Sequence, residues 1–127
     1  MIQAFNAALA GLRVSAARLG VAAENIVNVH SSGSLSPYDG YVSKRLEQTT
    51  TAHGRPAVAV KPVSQPFYPV YDPANSRAGA DGLVGYPNVD LAANIVDLMI
   101  AQRSYEANLV TMRTASEMMK ALLDRTA

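Results

Sequence analysis

The sequence predicts a mainly α fold. Two long terminal helices pair as an antiparallel coiled coil, with a small β-hairpin and extended-loop insertion between them. Three observations carry that expectation. Apolar residues alternate at spacings of three and four at both ends of the chain. All seven prolines and six of the eight glycines fall between Gly33 and Asn88. Residues 66–87 show almost no periodicity. The units expected are residues 1–29 and 89–127, forming one helical domain, with 30–88 as the insertion.

In residues 1–29, Ile2, Phe5, Leu9, Leu12, Ala16, Leu19, Ala23 and Ile26 occupy every a and d position of four heptads. No proline interrupts the run, which would make a helix of roughly 40 Å. It is expected to stop near Asn28, where His30-Ser31-Ser32-Gly33-Ser34 is a run of poor helix formers.

The middle segment reads as short extended pieces. Residues 41–46 and Ala57-Val58-Ala59-Val60 have strand character, with turns at Asp39-Gly40 and around Gly54. Pro66 to Pro87 reads as a loop or an ordered extended arm.

In residues 89–125 the alternation returns through Leu91, Ile95, Leu98, Gln102, Tyr105, Leu109, Met112, Ser116, Met119 and Leu123. Asn88 is the expected N-cap and Asp90 suits the first turn. Gln102 and Ser116 are the polar members of this seam, both at a positions, and are expected to fix register; the alternative is that Gln102 lies where the seam opens to solvent or to a neighbouring subunit.

The positions opposite each seam should be charged if solvent covers them. Instead they are Ala7, Val14, Val21 and Asn28 in the first helix, and Ala93, Ile100, Ala107, Thr114 and Ala121 in the second. A monomer with such a back would expose a long apolar patch, which soluble monomers rarely do. The helices are therefore expected to pack on more than one side in an assembly.

Composition removes several function classes. Eleven Lys/Arg balance ten Asp/Glu, which disfavours a dedicated nucleic-acid binder. With no cysteine, thiol catalysis, zinc–thiolate sites and Fe–S clusters are excluded. No apolar run approaches the length of a membrane span, and the start of the chain lacks the basic opening of a secretory signal. An interfacial membrane helix would carry a more basic polar face than residues 1–29 provide.

Catalytic constellations find little support. His30 and His53 share no metal-ligand spacing and read as solvated loop histidines. Ser31, Ser32, Ser34 and Ser36 lack a nucleophile-elbow context, and Asp72, Asp81 and Asp90 suit turns and caps. Residues 79–85 lack the Gly-Lys-Ser/Thr that would make them a phosphate loop. No cofactor, metal or small-molecule substrate is expected.

Two blocks carry a family resemblance. Residues 10–19, with Ala23-Glu24-Asn25-Ile26-Val27-Asn28, resemble the amino-terminal signature of bacterial flagellar rod and hook proteins. Tyr86-Pro87-Asn88-Val89-Asp90, followed by residues 99–108, is similar to the carboxy-terminal block of the same family. The resemblance implies export through the flagellar type III apparatus without cleavage, and polymerisation into the rod that crosses the periplasm. It implies copies of the chain, other rod proteins, the membrane ring and the export gate as partners.

Pattern and resemblance together assign assembly to three groups. Seam residues are Ile2, Phe5, Leu9, Leu12, Leu19, Ile26, Ile95, Leu98, Gln102, Tyr105, Leu109, Met112 and Met119. Outer residues are Val21, Asn28, Ile100 and Ala107. Asn25 and Asn108 come from the two motif blocks. A free-standing helical-hairpin adaptor, or another flagellar axial protein, is the alternative; an adaptor would need a solvated back.

Overall fold

The computed structural model describes residues 2–51, 54 and 56–126. Helix α1 spans Ile2–Val27 and helix α2 Leu91–Thr126, with strands β1 (Lys44–Thr50), β2 (Pro56–Pro62), β3 (Phe67–Tyr71) and β4 (Leu83–Pro87) between them. The chain is mainly α. At 26 and 36 residues, the helices are about 39 Å and 54 Å long.

α1 stops where side chains compete for the backbone. Asn28 donates from Nδ2 to the Glu24 carbonyl at 2.8 Å, and Ser31 donates from Oγ to the Asn28 carbonyl at 2.8 Å. The start of α2 differs from expectation. Asp90 is the N-cap: its Oδ1 accepts the Ala93 N–H at 2.9 Å. Asn88 instead donates from Nδ2 to the Gln65 carbonyl and from its N–H to the Pro66 carbonyl, tying α2 to the insertion.

β1 and β2 pair antiparallel from Lys44↔Pro62 to Thr50↔Pro56. β1 begins three residues later than expected. Before it, the Tyr41 carbonyl is taken by the Tyr38 hydroxyl at 2.7 Å. Lys44 stands opposite Pro62 at a non-hydrogen-bonded pair, next to the bond from the Val63 N–H to the Ser43 carbonyl, so its N–H and carbonyl point away from β2 and bond to the Asn25 side chain.

Residues 66–87 are a second antiparallel hairpin at their ends, β3 against β4, where a loop or arm was expected. Pro69 hides it in the sequence. Pro69 stands opposite Gly85, and the Gly85 N–H and carbonyl both bond to Gly33 on the other side, at 2.8 and 2.9 Å. The proline therefore removes no ladder bond. A Cβ on Gly85 would stand 2.7 Å from the Tyr38 ring, and one on Gly33 2.3 Å from the Gly40 nitrogen, so both positions need glycine.

The insertion has its own small core. Val84, Pro87 and Ser43 are its fully buried large side chains, and Tyr38 stacks on Phe67 with centroids 3.9 Å apart. Ser43 links the two hairpins, its carbonyl accepting the Val63 N–H and its Oγ donating to the Pro66 carbonyl. The β1–β2 hairpin lies against α1, and α1 lies against α2.

Candidate assembly interface

The helices run antiparallel, because Asn25 near the end of α1 bonds Asn94 near the start of α2, while Gly11 abuts Asn108. Small residues make the contact. Ala8, Ser15 and Ala22 are buried on α1, and Ala101 and Ala115 on α2. At Gly11 a Cβ would lie 2.5 Å from the Asn108 side chain, so the Asn108 amide packs directly on the bare Gly11 backbone.

This contact stripe corrects the expected seam. In both helices it runs through the d positions and the small residues one step before each a. That is a rotation of about 60° at 100° per residue. Phe5, Leu12, Leu19, Ile26, Leu98, Met112 and Met119, all at d, are half-buried, as is Leu9 at a. The other a positions turn outward: Ile2, Ala16, Ala23, Ile95, Gln102, Leu109, Ser116 and Leu123 are exposed. Gln102 and Ser116 are thus not buried in the contact, and Ser116 lines a cleft at its edge with Phe5. Gln102 donates to Glu106 at 3.3 Å on the surface, so it does not set the register of α2 against α1. Leu91 and Tyr105, at d, are also exposed.

The backs of the helices differ. Val14 and Val21 are half-buried, Val14 beside β2 and Val21 beside β1. One side of α1 is thus covered within the chain, which corrects the expectation that both backs stand open. A groove of about 530 Å³ remains between β1, α1 and the start of α2, lined by Val21, Leu46, Val63, Arg18 and Asp97 among others.

On α2, Ile100 and Ala107 are exposed as expected. Within residues 91–110, three further exposed large apolar residues lie outside the heptad pattern: Val96, Met99 and Val110, the last 63% exposed. The adjacent pairs Ile95-Val96 and Met99-Ile100 were the available signal, since a face-restricted helix has no reason to carry them. Residues 91–110 hold only three charges, Asp97, Arg103 and Glu106, and the last two pair at 3.1 Å. Large apolar side chains thus surround the first half of α2 on the sides that α1 leaves open.

Asn25 is placed differently from the other expected interface residues. It is 3% exposed and all its hydrogen-bonding capacity is used inside the chain. Its Nδ2 donates to the Lys44 carbonyl at 2.8 Å and to Asn94 Oδ1 at 2.9 Å. Its Oδ1 accepts the Lys44 N–H at 3.1 Å and the Tyr41 hydroxyl at 2.9 Å. Asn108 is half-buried beside Gly11 and donates to the Ser104 carbonyl; Asn28 is half-buried at the α1 end.

Ion pairs brace the insertion. Lys44 meets Glu24 of α1 at 2.7 Å, and that hydrogen bond raises the Lys44 pKa. Glu47 sits 2.6 Å from Lys61 and 2.7 Å from Arg45, and the Lys61 hydrogen bond lowers its pKa. Asp39 is lowered by the Ser34 N–H and by Arg77 at 2.7 Å. Burial raises the hydroxyls of Tyr38 and Tyr41.

Other polar candidates serve the backbone. Asp81 accepts the Leu83 N–H, Asp72 accepts from Asn75, and residues 79–83 close a turn around Gly82 at φ 71°. His30 is exposed in the turn after α1, and His53 lies outside the described residues. Among the described residues, no three His, Cys, Asp or Glu side chains group as metal ligands, and no helix is long and apolar enough to cross a membrane. The arrangement offers a surface for packing.

Residues 80–125 match the family model described as flagellar basal body rod FlgEFG protein C-terminal. The flagellar basal-body rod protein FlgC of Salmonella typhimurium is 35% identical over 127 residues, covering 94% of this chain and 92% of the relative. The FlgC of Agrobacterium fabrum is 32% identical over 120 residues, covering 90% and 86%. The FlgC of Bacillus subtilis is 49% identical over a shorter stretch of 57 residues.

Proposed function

From the premise that the chain belongs to the flagellar basal-body rod protein FlgC family, and so is a structural subunit of that rod, we propose how it assembles. The two helices form an antiparallel coiled coil, and copies of it pack side by side into the tubular shaft that transmits torque and encloses the export channel. The contact between copies, and with other rod proteins, falls on the exposed large residues of α2, with Ile2 and the outward a positions contributing. At the rod base the same helices meet the membrane ring and the export gate. The subunit reaches its place by export without cleavage of a signal peptide, and it performs no catalysis.

The observation that carries this reading is the apolar surround of residues 91–110. A free chain loses free energy by leaving that surface in water, at roughly 25 cal/mol per Å². Neighbouring helices recover it, and the sparse charges leave them little to desolvate.

The test is Ile100→Glu. Ile100 is exposed, so the free chain should keep its fold and its melting temperature. In the rod the carboxylate would stand against a neighbour without a partner, at several kcal/mol. Cells carrying it should export the subunit, lack complete basal bodies and fail to swim. Normal swimming with normal basal bodies would place that face in solvent and overturn the reading.

A further inference from the structure

We infer that Asn25, through Asn94 and the Lys44 backbone, sets the register of the two helices and fixes the β1–β2 hairpin to that register. Asn25 acts as a positioning residue whose contacts lie wholly within one subunit, so the inference is independent of which surface the neighbours use.

The contact stripe is otherwise made of small, mutually similar residues. Ala8, Ser15 and Ala22 repeat every seven residues on α1, and Ala101, Asn108 and Ala115 do so on α2. A slip of one heptad would again interleave small residues over most of the contact. Packing alone therefore discriminates weakly between registers. Two features do not survive the slip. One is the close approach of Gly11 to Asn108. The other is Asn25, which after a slip would face Ala101 or the chain before α2. Both of its Nδ2 hydrogens and its Oδ1 are now matched at 2.8 to 3.1 Å in a site 3% exposed. Removing Asn94 would strand a buried donor.

The same amide grips β1. The Lys44 N–H and carbonyl point away from β2, and Asn25 supplies the acceptor and the donor that match them, so β1 begins where Asn25 holds it. Asn94 is held in turn, its Nδ2 donating to the Asp90 carbonyl at 2.8 Å. One side chain thus joins the end of α1, the start of α2 and the first residue of β1. Helix pairing in the wrong register would leave the hairpin without its anchor.

The cysteine-free chain allows a direct test. Continuing the antiparallel spacing from Gly11–Asn108 to Asn25–Asn94 places Ser15 opposite Ser104. In the full-length chain, Ser15→Cys with Ser104→Cys reports the native register. Ala8→Cys or Ala22→Cys with Ser104→Cys reports slips of one heptad. Each pair is combined with Asn94→Leu, with Asn94→Asp and with Asn25→Leu, and disulfide yields are compared after mild oxidation.

The expected order is set by hydrogen bonding. Asn94→Asp keeps an acceptor for Asn25 Nδ2 and should keep the native disulfide. Asn94→Leu and Asn25→Leu should lower the ratio of native to slipped disulfide by roughly tenfold or more. A merely space-filling role predicts the reverse, with the apolar leucine tolerated and the buried carboxylate damaging. Equal ratios in all variants, or loss confined to Asn94→Asp, would overturn the inference and leave the rod assignment standing.

Discussion

At the scale of single residues, a few polar side chains decide where the elements begin. Asp90 starts α2 by accepting the Ala93 N–H. Asp90→Ala should lower the stability of the chain by about 0.5–2 kcal/mol, read from thermal unfolding. Asn88→Ala instead frees the Gln65 carbonyl and leaves the cap intact. Asp39 gives a pH signature. The Ser34 N–H and Arg77 hold its folded pKa below the ordinary 3.8, so the folded state binds its proton less tightly than the unfolded state does. Its contribution is complete above 3.8 and is lost as pH falls through the lowered folded value. The stability gap between the natural chain and Asp39→Asn should therefore close on acidification below about pH 4. A gap that stays constant from neutral to acid pH would show that the pair adds nothing. The effect is small, because the group is exposed.

At the scale of elements, the rotation of the helix contact is the informative departure. Heptad spacing locates a stripe but does not say which edge of it faces the partner. Here small side chains one step from a let the backbones close together, and the larger a residues are turned outward. Substitutions separate the two geometries. Ala101 is fully buried, so Ala101→Leu should overpack the contact and cost about 1–3 kcal/mol. Gln102, its exposed neighbour, should accept leucine within about 0.5 kcal/mol. An a/d seam would reverse that order, and melting curves of the two variants decide it. The strands follow the same logic of local bonding. β3 and β4 form despite Pro69 and Pro87 because Gly33 takes the bonds of Gly85 and leaves Pro69 opposite a position that asks nothing of it.

At the scale of the molecule, burial is unevenly distributed. The insertion holds Val84, Pro87 and Ser43 almost fully buried, while most large apolar side chains of α2 are exposed. Local stability tracks buried contacts, so amide exchange in the free chain should be slowest around β4 and faster along α2. In assembled rods the amides of residues 91–110 should become strongly protected. Equal protection of α2 before and after assembly would mean that its exposed side chains meet nothing. The layering also gives the helices different duties. α1 lies between the β1–β2 hairpin and α2, and α2 is left with the larger open surface.

Much of this was legible in the sequence. Two spacings of three and four located both helices, clustered prolines and glycines located the insertion, and uncharged outer positions pointed to packing on several sides. These features are local or periodic, so they survive without knowledge of the partner element. The tertiary structure decided the rest. Which edge of each stripe closes the helix pair depends on side-chain volumes on both helices at once. Strand pairing around Pro69 depends on Gly33, far away in the chain. Asn25 reads in sequence as one more polar residue at a helix end. Its importance comes from four bonds to three residues in two distant segments, and no spacing rule along one strand of sequence encodes them.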